Sequence, residues 1–286
     1  MKALVKSCSA LLLVAVSISY GYTSFDISMY PGINEWNALG LAVNPENGNI
    51  FISSNSYGGE DNFYQFNANG ELISSTRVPF NLGGAGNLGS MVVASNGHVF
   101  ADAVYYPPAQ HYLLELSQDG RTIFSSLPDI DAGDGLSYNP NTNHFYYVER
   151  LSYMNYQIDE ITMGGTIVNE VALEQPFYSN WYKGLIFDPI FDSFYVNELY
   201  KDILDQYSKN EFGQYVYFKS YNMESIPLIH NVLDMDINRA NGLFYAQSGN
   251  DNVVVFNLNE LESFYVPEPA TLLLLGLGAV MVRRKR

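Results

Sequence analysis

A sequence pattern that recurs about every 50 residues most constrains how this chain of 286 residues can fold. Each copy has a short apolar run, a turn rich in Asn, Asp, Pro or Gly, and a second run of apolar and aromatic residues. The copies begin 50, 45, 49 and 50 residues apart, at Gly40, Ser90, Gly135, Gly184 and Asp234. A fixed period of this length is typical of the blades of a β-propeller.

Each copy predicts four β-strands. Asn or Asp before proline forms the first turn, as at Asn44-Pro45, because the side chain accepts local hydrogen bonds and proline fixes φ. A second pair of strands follows around the hairpin dipeptides Asn69-Gly70, Asp119-Gly120 and Gly164-Gly165. Four strands make one blade. We therefore predict an all-β fold, a β-propeller of five blades with about 48 residues each over residues 22–266. A β-sandwich or barrel is the alternative, although neither requires this period.

The ring of blades must close, since an unpaired edge strand invites association with other chains. Two segments could complete the last blade. Residues 24–29 could join it as its outer strand, or residues 262–265 could complete it from the C-terminal side. The sequence leaves both arrangements open.

The N-terminus predicts a secretory signal peptide over residues 1–21. Lys2 and Lys6 precede an apolar run over residues 10–18, and small residues follow up to Gly21. Cleavage there would remove Cys8, the only cysteine, so the exported domain would be held by its core without disulfides. The alternative is a buried N-terminal helix.

The C-terminus predicts a sorting segment over residues 267–286. Pro267, Glu268 and Pro269 precede an apolar run over residues 270–282. A helix of that length spans about 20 Å, less than the roughly 30 Å of hydrocarbon in a bilayer. Cations at the chain end favour a cytoplasmic location of that end, which makes the segment a short transmembrane helix; the alternative is a C-terminal core helix. This basic tail consists of Arg283, Arg284, Lys285 and Arg286.

These three elements in this order resemble the PEP-CTERM sorting signal of Gram-negative bacteria. The resemblance implies that an exosortase recognises the motif and removes the helix and tail during export. It also implies a transient membrane anchor through the helix, followed by a periplasmic, outer-surface or extracellular-matrix location. Proteins of this group are linked to bacteria that make exopolysaccharide.

The first repeat resembles an NHL-type repeat, as found in gluconolactonase-like propellers. The resemblance rests on Gly40-Leu41-Ala42-Val43-Asn44-Pro45, residues 49–53 and residues 63–66 before Asn69-Gly70. Such propellers usually have six blades, and their lactonase members hold a divalent metal at the central axis with Glu, Asn and Asp. At the corresponding strand starts, this chain offers carboxylates at Asp134 and Asp234 and a cation at Lys183.

The charge of the predicted domain limits the classes of partner that it can bind. Residues 22–266 contain 8 basic and 29 acidic side chains, a net charge of −21. A surface that follows nucleic acid needs clustered Lys and Arg, so nucleic acid is excluded as a partner. An acidic surface attracts divalent cations and keeps an exported protein soluble.

The segment Asp-Ile-Asp-Ala-Gly-Asp-Gly contains the candidate metal ligands Asp129, Asp131 and Asp134, and Asp234 is a fourth candidate. Several convergent oxygens suit Ca²⁺ or another divalent cation. The spacing differs from an EF-hand, and a solvated acidic turn is the alternative interpretation. No other cofactor is predicted.

The sequence contains no motif that predicts acyl-transfer catalysis or a metal site built from histidines. His98, His111, His144 and His230 show no metal-binding spacing. His98 and His144 occupy equivalent repeat positions, which indicates a turn role. No Gly-x-Ser-x-Gly motif occurs, so no catalytic residue is predicted.

Tyrosine is unusually frequent, with 23 residues. Tyr146, Tyr195 and Tyr245 share one repeat position, which predicts packing in the core. Other aromatic residues cluster in predicted loops, where flat amphipathic rings beside amides and carboxylates suit sugar rings. These candidate ligand-binding aromatics are Tyr105, Tyr106, Tyr178, Trp181 and Tyr182.

Two functions are compatible with these sequence features. The sequence favours an exported, surface- or matrix-associated propeller that acts as a non-enzymatic binding protein, with exopolysaccharide as a candidate ligand. The alternative is a metal-dependent, lactonase-like hydrolase or lyase at the axis. An enzyme needs several convergent polar groups at the centre, whereas the predicted axial set is poor.

Overall fold

The computed structural model describes residues 22–30, 33, 38–54, 62–79, 85–106, 110–132, 135–152, 155–173, 182–249 and 251–264. The predicted signal peptide and the C-terminal segment over residues 267–286 lie outside these ranges. The described chain is almost entirely β-structure, with a single 3₁₀ turn at Leu258–Glu260. No helix in the described ranges has the length and apolar character needed to cross a membrane.

The strands follow one another through short turns. In chain order they are β1 (Thr23–Asp26), β2 (Ala38–Val43), β3 (Ile50–Ser54), β4 (Asn62–Phe66), β5 (Leu72–Arg77), β6 (Ala85–Val93), β7 (Val99–Tyr106), β8 (Gln110–Leu116), β9 (Ile123–Pro128), β10 (Leu136–Asn139), β11 (His144–Ser152), β12 (Asn155–Thr162), β13 (Ile167–Ala172), β14 (Tyr182–Asp188), β15 (Ser193–Glu198), β16 (Ile203–Lys209), β17 (Tyr215–Asn222), β18 (Asp234–Asn238), β19 (Leu243–Ser248), β20 (Asn252–Phe256) and β21 (Glu262–Phe264).

These strands form five antiparallel sheets, which confirms the predicted five-bladed propeller. From the inner to the outer edge, the first three blades are β2-β3-β4-β5, β6-β7-β8-β9 and β10-β11-β12-β13. The fourth is β14-β15-β16-β17-β21, and the fifth is β18-β19-β20-β1. The inner strand of each blade is therefore the first strand of each sequence repeat.

The N-terminal strand closes the ring. Strand β1 pairs antiparallel with β20, with Thr23 opposite Val255 and Asp26 opposite Asn252. Of the two arrangements that the sequence left open, the first is therefore correct. Strand β21 instead pairs with β17 and extends the fourth blade by a fifth strand, so the C-terminal alternative for closing the last blade is wrong.

The turns form as their residues predict. The Asn44 side chain accepts a hydrogen bond from the backbone N–H of Glu46 at 2.9 Å. The Asn67 side chain accepts from the N–H groups of Asn69 and Glu71 at 2.9 and 3.0 Å. Gly70 follows with φ of 80°, a conformation that favours glycine. Side chains thus satisfy backbone donors where the strands reverse.

Aromatic side chains fill the spaces between blades. Tyr146, Tyr195 and Tyr245 are each at most 4% exposed, so the predicted core role of this repeat position is confirmed. The ring of Tyr146 lies 4.9 Å from Phe187 of the next blade. The ring of Tyr195 lies 5.2 Å from Phe244 of the blade after that. One tyrosine therefore joins the two sheets at each of these two boundaries.

In three of the five inner strands, the neighbouring strand lies too close for a side chain at the first position of the repeat. A Cβ atom at Gly40 would lie 1.9 Å from the carbonyl oxygen of Gly89, and one at Gly135 would lie 2.8 Å from Leu185. A Cβ atom at Gly184 would lie 3.1 Å from the backbone nitrogen of Met235. Glycine is thus required where these strands meet.

The fifth blade carries Asp234 at the corresponding repeat position. Its Oδ2 accepts a hydrogen bond from the backbone N–H of Leu41 at 2.8 Å, and Oδ2 of Asp236 accepts from Val43 at 2.9 Å. Both carboxyl groups are almost fully buried. They bind the last inner strand to the first and thus help to close the ring.

Candidate functional site

A groove of about 790 Å³ lies between the third and fourth blades. It opens at the end of the blades formed by the turns after β10 and β14, opposite the end where the inner strands begin. Strand β13 and the start of β17 form its sides. The groove therefore lies between neighbouring blades and away from the axis.

The floor of the groove is aromatic. Tyr146 and Phe187 pack against each other there and are nearly buried. Tyr215 is partly exposed and packs on Phe194, with 4.5 Å between the ring centroids. Tyr215 thus offers a ring that is supported from below and accessible from the groove.

Charged groups fix the position of this ring. The hydroxyl of Tyr215 donates a hydrogen bond to Asp192 Oδ1, and Nζ of Lys209 donates to Oδ2 at 2.6 Å. Nζ of Lys209 also lies 4.8 Å from the centre of the Tyr215 ring. Burial opposes ionisation of Asp192, but these two hydrogen bonds hold its pKa below its ordinary value. Asp192 is therefore a carboxylate at neutral pH.

The rest of the wall is polar. Glu160 lies 2.7 Å from Nδ1 of His144, and the Asn139 side chain donates to the Tyr146 hydroxyl at 3.3 Å. Further amides and carboxylates are Asn141, Asn169, Glu170 and Gln214. The groove thus combines one accessible aromatic ring with hydrogen-bonding groups at several positions.

A smaller groove of about 350 Å³ lies on the other side of the turn at residues 189–192, between the fourth and fifth blades. Its lining includes Tyr221, whose hydroxyl donates to Gln206 at 3.0 Å, and Lys219, whose Nζ lies 4.6 Å from the Tyr221 ring. Ile190 and Phe191, each 69% exposed, form a ridge between the two grooves.

The structure describes three of the four predicted metal ligands, Asp129, Asp131 and Asp234, and it places Asp234 in the fifth blade and the other two after the last strand of the second blade. Asp129 and Asp131 are exposed in the segment after β9, and Asp134 lies outside the described residues. Asp234 is buried at the axis, where burial raises its pKa to about 8 against the hydrogen bonds from Leu41 and Met235. Asp131 instead approaches His111, with 3.1 Å between Oδ1 and Nδ1.

The predicted ligand-binding aromatics are placed only in part. Tyr105 and Tyr106 end β7, but their side chains, like all of Tyr178 and Trp181, lie outside the described residues. Tyr182 is 1% exposed, and its hydroxyl lies 3.2 Å from Asp205 and 3.1 Å from the Tyr207 hydroxyl. Its ring is therefore part of the core and faces no solvent.

The fourth blade also contains a buried carboxyl pair that sequence reasoning missed. Glu198 and Asp205 are fully buried, and Nζ of Lys201 lies 2.6 Å from Glu198 Oε2. Burial and then the charge of Glu198 raise the pKa of Asp205 to about 7, although Ser220 and Tyr182 donate hydrogen bonds to it. Because these groups are enclosed, they offer no access to a substrate.

Comparison with solved structures shows shared architecture. The chain resembles a chain of the nidogen/laminin complex, with a TM-score of 0.52, 15% identity, and 80% of each chain covered. It also resembles a luciferin-regenerating enzyme, with a TM-score of 0.50 and 12% identity over 86% of this chain and 98% of that chain. A gluconolactonase from Xanthomonas campestris aligns with a TM-score of 0.49 and 11% identity over 79% and 86%. The first two likenesses show the propeller fold alone.

Comparison with protein-family models gives a match at the C-terminus, to a protein-sorting motif. Residues 266–286 match the PEP-CTERM protein-sorting motif. The chain ends in a PEP-CTERM signal. This signal implies export and processing by an exosortase. No curated protein sequence matches the chain.

Proposed function

We propose that this exported propeller is a non-enzymatic binding protein of the cell surface or matrix, and that it binds a neutral polysaccharide in the groove between the third and fourth blades. The observation that carries the proposal is the supported ring of Tyr215 beside the Asp192 carboxylate in that groove. The PEP-CTERM signal supports this location, because it implies export from the cytoplasm and processing by an exosortase.

A sugar ring presents C–H groups on its faces and hydroxyl groups around its edge. An aromatic ring such as Tyr215 suits the face, while Glu160, Asp192 and Asn169 suit the hydroxyl groups. A volume of about 790 Å³ is within the range of pockets that enclose small ligands. The groove therefore has room for a few sugar units of a longer chain.

The groups around Tyr215 are fixed before a ligand arrives. The hydrogen bonds from Tyr215 and Lys209 to Asp192 hold the ring and carboxylate in one arrangement. A fixed arrangement lowers the entropy that binding costs. This favours specific recognition over weak adsorption.

Charge narrows the class of polysaccharide. Glu160, Glu170 and Asp192 outnumber Lys209 in the groove, and the whole domain carries a net charge of −21. Such a surface repels polyanions. We therefore propose neutral polymers as ligands of this groove and exclude polyuronates.

Calorimetric titration with neutral hexasaccharides of glucose, galactose and N-acetylglucosamine tests the proposal, with a hexauronate as the acidic comparison. Tyr215→Ala should weaken binding at least tenfold, about 1.4 kcal/mol, because it removes the exposed ring. Phe124→Ala is the matched control, since Phe124 is 52% exposed on β9, in the second blade. The proposal fails if no neutral hexasaccharide binds or if the two variants bind alike.

The alternative lactonase-like activity at the axis finds no support in the described residues. There the inner strands meet at glycines, and Asp234 accepts a backbone hydrogen bond. A metal centre would need convergent ligands from several inner strands at this level. The packing therefore favours a binding protein.

A further inference from the structure

We infer that Asp102, His111 and Asp131 bind a divalent transition-metal cation of the zinc class at the boundary of the second and third blades. One ligand atom from each residue lies within 4.8 Å of the other two. The closest pair is Nδ1 of His111 and Oδ1 of Asp131, at 3.1 Å. The site is separate from the proposed saccharide groove.

The fold brings the three side chains together from distant positions. Asp102 lies in β7, and His111 lies in the adjacent strand β8, opposite Val104. Asp131 follows β9 in the connection to the third blade. Two residues of the same connection, Asp129 and Ala132, attach it to the other ligand residues.

Backbone hydrogen bonds supply these anchors. The N–H of Asp129 donates to the His111 carbonyl oxygen at 2.9 Å. The N–H of Ala132 donates to Asp102 Oδ1 at 3.1 Å. The backbone of the segment that carries Asp131 is therefore attached to both other residues without a metal.

His111 differs from two other histidines of the chain. Nδ1 of His98 and of His144 each lies 2.7 Å from one glutamate oxygen and forms a hydrogen bond. Nδ1 of His111 is buried and, within the described residues, makes no hydrogen bond even though a carboxylate lies 3.1 Å away. A buried imidazole nitrogen that lies beside a carboxylate without hydrogen-bond geometry, in a cluster with a second carboxyl group, suits a shared cation.

The donor set selects the class of metal. Imidazole nitrogen favours zinc, iron, nickel and similar ions, whereas Ca²⁺ prefers six to eight oxygen ligands. Three protein ligands with an open position are common for zinc. Asp102 is fully buried, and the side chain of Asp131 is 64% exposed, so a cation would enter past Asp131 and keep water on that side.

The test uses the full chain with Cys8→Ser, untagged, so that neither a thiol nor a tag binds metal. After EDTA treatment and removal of the chelator, calorimetric titration with ZnCl₂ should show one saturable site. Co²⁺ should give visible absorption bands at the same stoichiometry. His111→Gln and Asp131→Asn should each weaken Zn²⁺ binding at least tenfold, whereas the control His98→Gln should change it less than twofold.

Asp131→Asn separates metal binding from folding, because its side chain is largely exposed and its loss leaves the core intact. Near-ultraviolet circular dichroism checks each variant. The inference is overturned if the parent chain lacks a saturable Zn²⁺ site, if both ligand variants bind like the parent, or if His98→Gln loses binding equally. It is also overturned if only Ca²⁺ binds.

Discussion

Replacing Asp234 by Asn should make the protein less sensitive to pH. Asp234 is fully buried where the first and last blades meet, and burial raises its pKa from 3.8 to about 8. Its Oδ2 accepts from the Leu41 N–H, and its Oδ1 has no hydrogen-bond partner among the described residues. The Asn side chain can accept the same hydrogen bond and carries no titrating proton.

The sign of the effect follows from the two protonation states. Between pH 3.8 and about 8, the folded protein keeps the Asp234 proton while the unfolded chain releases it. Stability therefore falls as pH rises through this window, by about 1.4 kcal/mol per pH unit, and levels off above it. From pH 5 to pH 7, Asp234→Asn should gain about 2.7 kcal/mol relative to the parent.

The assay is guanidinium unfolding of both proteins at pH 5, 6, 7 and 8 at constant ionic strength. Other buried acids, including Asp205 and Asp202, titrate in both proteins, so the difference between the two curves isolates Asp234. The groups facing Asp234 are the neighbouring Asp236 and, beyond it, Arg239, whose Nη2 lies 3.6 Å from Asp236. A difference that stays constant from pH 5 to pH 8 would refute the reasoning.

Three further predictions concern the ring and the metal site. Gly40→Ala should destabilise the protein by more than about 3 kcal/mol, because its Cβ would meet the Gly89 carbonyl oxygen, whereas Gly164→Ala, whose Cβ would find its nearest atom at 3.8 Å, should cost less than about 1 kcal/mol; chemical unfolding compares them, and equal losses would contradict the close packing of the first two inner strands. A chain that begins at residue 28 instead of 22 lacks β1, which exposes the edge of β20. This chain should melt at a lower temperature and associate through β20, as light scattering would show. An unchanged melting temperature would mean that β1 does not close the ring. Free Zn²⁺ at 100 times its dissociation constant should stabilise the folded protein by about 2.7 kcal/mol in thermal melts, and this gain should vanish in His111→Gln; an equal gain in both would place the metal elsewhere.

The sequence pattern within each repeat, with its order of strand and turn residues, predicts most of the fold. Asn-Pro and Asn-Gly turns with apolar flanks predict strands, and their period predicts blades. The sequence alone does not determine how the ring closes, because the segments near both termini have the residues of a strand. Only the observed pairing of β1 with β20 decides between them. The shared core position of Tyr146, Tyr195 and Tyr245 was predictable, because one repeat position has one environment.

The sites were harder to predict because their residues come from different repeats. The sequence predicts Asp131 as a candidate metal ligand in an acidic segment, but its contact with His111 depends on the pairing of β8 with β9 and on the path of the chain after β9. No sequence pattern singles out Tyr215 or Asp192. They lie 23 residues apart, and their contact follows from the register of the fourth blade. Glycine at the axis gave a usable signal at Gly40, Gly135 and Gly184, since it recurs at one position.

Hydrogen–deuterium exchange on the full chain, with and without a neutral hexasaccharide that binds, tests the proposed function most directly. We predict slower exchange in peptides covering residues 139–146, 160–172 and 209–216, which line the groove between the third and fourth blades. Exchange in the second blade should stay the same. Protection confined to other blades, or to the strand starts around the axis, would contradict saccharide binding in this groove.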